Sequence, residues 1–320
     1  MEFINNIIGK ELNTFEKKFS EAVKSQTMLL DRIMKYIIKR KGKQLRPMFV
    51  FLSAKLHGEI NESTYRAAAL VELLHTATLV HDDVVDESFE RRGFFSINAI
   101  WKNKIAVLVG DYLLSKGLLL STTNNDFEHL HILSEAVKQM SEGELLQIEK
   151  SRKLNLKEDI YFEIIRNKTA SLLSSACAVG AYSTSKDMAI CEKMKLFGEK
   201  VGIAFQIKDD LFDYGKEDIG KPTGNDIKEK KLTLPLIYTL NKVDASKRRA
   251  LIYIIKYENT VPDKVKFVID TVVKAGGITY ATEKMNQYRD EALEILHSFP
   301  ESDVRKALET LVRYTTDRMY

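Results

Sequence analysis

Apolar residues recur at helical spacing from one end of the chain to the other. Phe15, Phe19 and Val23 form one such set, Leu70, Leu73, Leu74 and Ala77 a second, Leu108, Tyr112 and Leu113 a third, and Ile164, Leu172 and Leu173 a fourth. All follow the i, i+3, i+4 pattern of an amphipathic helix. Only 15 Gly and 5 Pro interrupt 320 residues, which favours long helices over a turn-rich β fold. Turn residues cluster at 41–44, 57–63, 91–96, 122–126, 153–159, 183–187, 215–226 and 259–263, and these are the predicted breaks. No Pro/Ser-rich linker or composition shift divides the chain. The expectation is an all-α fold, one domain over 1–320, built as a bundle of roughly ten or more helices.

Composition narrows the class. With 44% hydrophobic and 29% charged residues the chain has a soluble globular make-up and enough apolar material for a large core. The net charge of +4 comes without a basic arm or an aromatic-interleaved basic patch, so nucleic acid is not an expected partner. Cys177 and Cys191 sit in apolar helical sequence and read as buried free thiols, which suits a reducing cytoplasm. Residues 1–24 read as an amphipathic helix rather than a signal peptide. No apolar run approaches the roughly 20 residues of a membrane span, so no transmembrane segment is expected.

One motif occurs twice. Asp82, Asp83 and Asp86 lie in LVHDDVVDE, and Asp209, Asp210 and Asp213 in FQIKDDLFDY. The first and last Asp of each set are four apart, on one helix face, where like charges repel by a few tenths of a kcal/mol. Leu79, Val80, Val84 and Val85 flank the first set, and Phe205, Ile207, Leu211 and Phe212 the second. Carboxylates among core residues need a cationic partner. Short carboxylates select a hard ion such as Mg²⁺, which takes one or two protein ligands and fills its shell with water and phosphate oxygens. A solvated acidic face would explain one DDxxD, since a chance match somewhere in such a chain is roughly one in fourteen. Two fall nearer to about one in four hundred.

A diphosphate site also needs cations, Arg as a bidentate fork and Lys as a point charge. The candidates are Lys43 and Arg46 in GKQLRP, Arg91 and Arg92 in ERRG, Lys168 beside Thr169 in NKTAS, Lys221 in GKP and Lys231 in KKLTLP. Singly, each could be a solvated surface charge. As a set they follow the aspartates: Arg91 and Arg92 come soon after the first cluster, Lys221 and Lys231 soon after the second.

With these motifs in order, the chain resembles the trans (E) polyprenyl diphosphate synthases over essentially its whole length. The landmarks are GKQLRP at 42–47, LLHTATLVHDDVVDE at 73–87, RRG at 91–93, VGDYLLSK at 109–116, NKTASL at 167–172, FQIKDDLFDY at 205–214, GKPTGNDIKEKKLTLP at 220–235 and RYTTDR at 313–318. The resemblance implies an isoprenoid-synthase bundle around a deep central cavity, and a homodimer. It implies condensation of isopentenyl diphosphate with an allylic diphosphate, using Mg²⁺, about three ions with the bound diphosphate. It assigns metal to Asp82, Asp83, Asp86, Asp209, Asp210 and Asp213, with Asp83 and Asp210 acting through water or a second layer. The allylic diphosphate goes to Arg91, Lys168, Thr169, Gln206, Lys221 and Lys231. Isopentenyl diphosphate goes to Lys43, Arg46, His75 and Arg92. Asp82, Asp86, Asp209, Lys168, Lys231 and Arg91 carry the catalytic load. Phe205 completes the pocket, where an aromatic face attracts a carbocation.

Product length in this family resembles a ruler read along the helix before the first cluster. The positions five and four before Asp82 are Ala77 and Thr78, both small, with Leu74 a turn deeper. No Phe, Tyr or Trp occurs from Arg66 to Val80, which argues against a short product. The wording most resembles octaprenyl-type synthases that make quinone side chains, with geranylgeranyl or hexaprenyl to nonaprenyl products as alternatives. A terpene cyclase would not need Lys43, Arg46, His75 and Arg92. A non-catalytic subunit of a two-component synthase would not need both clusters intact. Transient membrane contact, to release a greasy product, is compatible with this reading.

Overall fold

A computed structural model describes residues 1–39, 42–91, 93–153, 157–215 and 224–317. Arg92, Lys221 and the side chain of Arg91 lie outside the described residues, as does most of the break expected at 215–226.

The described chain is helical throughout apart from one small ladder. In order it forms α1 (Glu2–Ala22), α2 (Met28–Ile38), α3 (Leu45–His57), α4 (Glu62–Val85), β1 (Glu90–Arg91), β2 (Phe94–Phe95), α5 (Ile97–Thr123), α6 (Phe127–Lys153) and α7 (Glu158–Ile165). A π-helical turn, Arg166–Ala170, leads to α8 (Ser171–Ser185), α9 (Met188–Phe212), α10 (Asn225–Lys228), α11 (Leu234–Lys242), α12 (Ala245–Tyr257), α13 (Pro262–Lys274), α14 (Gly277–His297) and α15 (Asp303–Asp317). The all-α expectation holds. The ladder pairs Glu90 with Phe95 and Arg91 with Phe94 and was not expected, because two-residue strands leave no periodicity to read. Breaks at 23–27, 243–244, 275–276 and 298–302 were also missed, since most are set by single caps rather than by clusters of turn residues.

Two compact units interleave along the chain. The first comprises Met1–Val137, Ser175–Lys195 and Pro300–Thr310, the second Lys138–Ser174, Leu196–Phe299 and Leu311–Tyr320.

In the first unit, α4 packs along α5. Leu73, Ala77 and Val80 of α4 share a core with Ala106, Val109 and Leu113 of α5. Each large aliphatic side chain fully buried this way contributes about 1.5–3 kcal/mol. The start of α4 is fixed by a capping box: Asn61 accepts from the Ser63 and Thr64 amides, and the Thr64 hydroxyl accepts from the Asn61 amide. One turn on, Arg66 grips Asp126, at the head of α6, with two guanidinium nitrogens. Ser63 adds a hydroxyl bond to Asp126 at 3.0 Å and contacts the His129 Nε2 at 2.8 Å. Burial pushes the His129 imidazole down to about 4, so the ring is neutral within this network at neutral pH.

One helix, α5, bears on the expectation that no apolar run approaches a membrane span. It is the helix among the described residues long and apolar enough to cross a membrane, by length and composition alone. From Ile105 to Thr122 only Asp111 and Lys116 carry charge, and these scattered charges hid the segment from a search for an unbroken run. Only 33% of its apolar window is buried. Val107, Leu108, Leu118 and Leu119 are among its exposed apolar side chains.

The second unit is built around α9. Ile203, Ala204 and Ile207 share a core with Tyr161 and Ile165 of α7, Leu234 and Ile237 of α11, Val268 of α13 and Met285 of α14. Cys177 and Cys191 are buried and free, as expected, and burial raises their thiols to about 12 and about 11.

Candidate active site

The first aspartate cluster ends α4. Asp82 and Asp83 occupy the last helical turn, and Asp86 is the C-terminal cap, its amide bonded to the Asp82 carbonyl at 2.8 Å. Asp83 is 4% exposed, Asp82 half-buried and Asp86 exposed. Ser88 N–H and Asn98 Nδ2 both donate to the Asp83 carbonyl, which ties the turn after α4 to the start of α5.

The second cluster ends α9 in the same way. Asp209 and Asp210 lie in its last turn and Asp213 just beyond, with the Asp213 amide 3.3 Å from the Asp210 carbonyl. Neither helix has a basic residue in its last turn. Carboxylates therefore gather where the helix dipole is already negative, the arrangement most in need of an added cation.

Lys43 and Arg46 show the reverse arrangement. Lys43 is exposed just before α3, Gln44 caps it in the left-handed region at φ 53°, and half-buried Arg46 sits in its first turn, which holds no acid. Basic groups at the positive end of a helix suit an anion. His75 is half-buried on α4, and its carbonyl accepts from the Thr78 hydroxyl at 2.9 Å. Of the chain-length positions, Ala77 is 0% exposed and Leu74 is buried, whereas Thr78 is half-buried.

In the second unit a chain of hydrogen bonds links three of the expected residues. The Thr169 hydroxyl donates to Gln206 Oε1 at 2.7 Å, and Gln206 Nε2 donates to Asp210 Oδ1 at 2.8 Å. Tyr161 donates to Asp210 Oδ2 at 2.7 Å. Asp210 is buried, and desolvation, then the nearby charge of Asp226, raise its carboxyl to about 8 against the opposing bonds from Tyr161 and Gln206. Burial raises Asp213 as well, although its oxygens accept from the amides of Asn225 at 2.7 Å and Asp226 at 3.1 Å, the first residues of α10. Lys168 pairs with Glu144 of α6, and Lys231 with Glu229 at 2.6 Å. Phe205 is half-buried on α9. Sequence reading missed Tyr161, Glu144 and Glu229, because a residue that contacts a site residue carries no motif of its own.

Lys168 and Thr169 stand on the π-helical turn, whose wider ring lets a helix swell at one point. Two glycines hold it. A Cβ on Gly143 would lie 2.8 Å from the Lys168 nitrogen, and one on Gly202 would lie 2.5 Å from the Ala170 Cα. Backbone approaches this close admit only glycine.

No group of three or more His, Cys, Asp or Glu side chains that could hold an ion exists among the described residues. At each helix end taken by itself the carboxylate oxygens are too few for a closed cage, which suits an ion such as Mg²⁺ that keeps several places for water and phosphate.

Acids thus close α4 and α9, and bases open α3. The chain belongs to the polyprenyl synthetase family, whose model matches residues 27–272, and it is a trans-prenyltransferase. An all-trans-nonaprenyl-diphosphate synthase (geranyl-diphosphate specific) of Rhodobacter capsulatus is 34% identical over 98% of this chain and 96% of its own. Component 2 of the heptaprenyl diphosphate synthase of Bacillus subtilis is 31% identical, covering 98% and 90%, and the octaprenyl diphosphate synthase of Escherichia coli 30%, covering 99% of each. Among solved structures, a polyprenyl synthase from Caulobacter crescentus, complexed with calcium and isoprenyl diphosphate, aligns with TM-score 0.91 at 32% identity over 99% of this chain and 97% of that one. A decaprenyl diphosphate synthase from Rhodobacter capsulatus aligns with TM-score 0.92 at 34% identity over 98% of each.

Proposed function

We propose that this chain condenses isopentenyl diphosphate with an allylic diphosphate, farnesyl or geranylgeranyl, to build a long-chain all-trans polyprenyl diphosphate, octaprenyl by choice, for quinone side chains. The observation that carries the reading is the reversed charge at helix ends: acids close α4 and α9, and bases open α3. The relatives include nonaprenyl and octaprenyl diphosphate synthases and a component of a heptaprenyl diphosphate synthase, which supports a long product and leaves its length to measurement.

In this reading Asp82, Asp86 and Asp209 hold Mg²⁺, with Asp83, Asp210 and Asp213 behind them. When bound, the metal supplies positive charge to the departing diphosphate. Lys168 and Lys231, with Arg91 and Lys221, neutralise the same leaving group, and Thr169 and Gln206 position it. Lys43, Arg46, His75 and Arg92 hold isopentenyl diphosphate so that its double bond lies against the allylic carbon. Ionisation of the allylic diphosphate, attack by that double bond and loss of a proton give the lengthened trans product. Phe205 offers a ring face to the cation.

We also place the chain in the cytoplasm, where its two free thiols would stay reduced. It is proposed as a homodimer paired through the exposed side of α5, where Val107 and Leu108 recur eleven residues on as Leu118 and Leu119. Membrane contact through that surface is the other use it could serve. One domain over 1–320 is proposed because four of the five unit boundaries, those after 137, 174, 195 and 310, fall inside α6, α8, α9 and α15.

Purified chain with Mg²⁺, farnesyl diphosphate and labelled isopentenyl diphosphate tests the activity, and mass analysis gives the length. Elongated products from the chain alone support it. A cyclic product without isopentenyl incorporation defeats it, and turnover only after adding a second protein would make it a subunit of a two-component enzyme. Full chelation by EDTA should abolish turnover and excess Mg²⁺ restore it; activity that survives chelation removes the metal.

A further inference from the structure

The geometry points to Tyr161 as a positioning residue for the allylic site, acting through Asp210 on Gln206 and Thr169. This rests on the proposed placing of Thr169 and Gln206 at the allylic substrate.

The backbone around Thr169 is held by Gly143 and Gly202, so the freedom that remains is in side-chain orientation. A glutamine amide is the loosest element there, because its terminal torsion is broad and its two ends are alike in size. Asp210 removes the ambiguity. A carboxyl oxygen facing Nε2 leaves only Oε1 to face Thr169, and the Thr169 proton is then committed to Gln206.

Asp210 can do this only while its own orientation is fixed. It is 6% exposed, so a rotated carboxyl would leave a buried oxygen without a donor. Tyr161, 3% exposed on α7, supplies the donor to Oδ2 at 2.7 Å. Its ring is part of the core, a role a phenylalanine could fill. The hydroxyl serves the polar chain alone.

Tyr161→Phe in the full-length enzyme isolates the hydroxyl. We expect kcat to fall about tenfold, as for other residues that orient a ligand-bearing side chain. KM for isopentenyl diphosphate should stay within about twofold, because that substrate is assigned to other residues. Tyr161→Phe/Gln206→Leu should turn over no worse than Gln206→Leu, since both changes cut one chain. Normal kcat in Tyr161→Phe would overturn the role, as would losses that multiply in the double variant. Thr169→Ala and Gln206→Leu are the control. If both turn over normally, the placing of the allylic substrate fails and takes this role with it. If both are impaired while Tyr161→Phe is not, only the positioning role fails.

Discussion

Asp86, at the end of α4, is exposed, while Asp213, at the matching place after α9, gives its carboxylate oxygens to the first amides of α10. Asp83 is buried where its carbonyl ties the turn to Asn98, and Asp210 is bonded through its side chain to Tyr161 and Gln206. One motif thus appears in two settings. At α4 it closes a helix before a short hairpin. At α9 two of its carboxylates, those of Asp210 and Asp213, brace the surrounding fold.

The largest expected effect tests what the clusters share. Asp82→Ala and Asp209→Ala should each lower kcat by about 10³-fold, some 4 kcal/mol at 1.36 kcal/mol per decade, with helicity by circular dichroism unchanged. Near-normal turnover in either would detach that cluster from catalysis. Asp86→Ala and Asp213→Ala test what differs. Asp86→Ala should cut activity while leaving the melting temperature level or slightly raised, because it removes a negative charge from a helix C-terminus. Asp213→Ala should lower stability by about 1–2 kcal/mol as α10 loses its capping bonds. Equal melting behaviour in the two would erase the distinction.

Product length separates neighbouring positions on α4. Thr78→Phe places a ring at a half-buried site and should shorten the product by at least one isoprene unit, read by mass spectrometry. Ala77→Tyr enters the sealed core against Val109 and Leu113, so its expected outcome is a loss of about 1–3 kcal/mol in stability. An unchanged product from a folded Thr78→Phe enzyme would refute the ruler.

How much of this was legible in the sequence follows from what each feature depends on. The helices, the buried thiols and the aspartate spacing are local patterns, and they read directly. The break expected at 215–226 already placed the second cluster at a helix end, whereas the end of α4 at Val85 falls ahead of the break expected at 91–96, because Glu87 gives no strong stop signal. The π-helical turn was hidden because Asn167, Lys168 and Thr169 differ little from ordinary helix sequence, and the backbones packed closely against it, at Gly143 and Gly202, are distant in the chain. Tyr161 belongs to the same class: its meaning comes from a partner 49 residues away.

The smallest effect concerns the α4 side of the comparison, where the connection into α5 is strained. Lys102 adopts φ 74° and ψ 159° between two helical stretches of α5. That region is essentially reserved for glycine and costs a side-chain-bearing residue about 1–3 kcal/mol. Lys102 is exposed, so its side chain recovers little by packing. Lys102→Gly should therefore stabilise the chain by about 1 kcal/mol, once the greater freedom of glycine in the unfolded state is set against the relieved strain. In a chain of this size that is a rise of roughly 1–2 °C in melting temperature. Lys102→Ala removes the charge and keeps the Cβ, so it should leave the melting temperature where it is. A rise in both variants would assign the effect to the lysine charge, and a rise in neither would remove strain from the account of the α4–α5 connection.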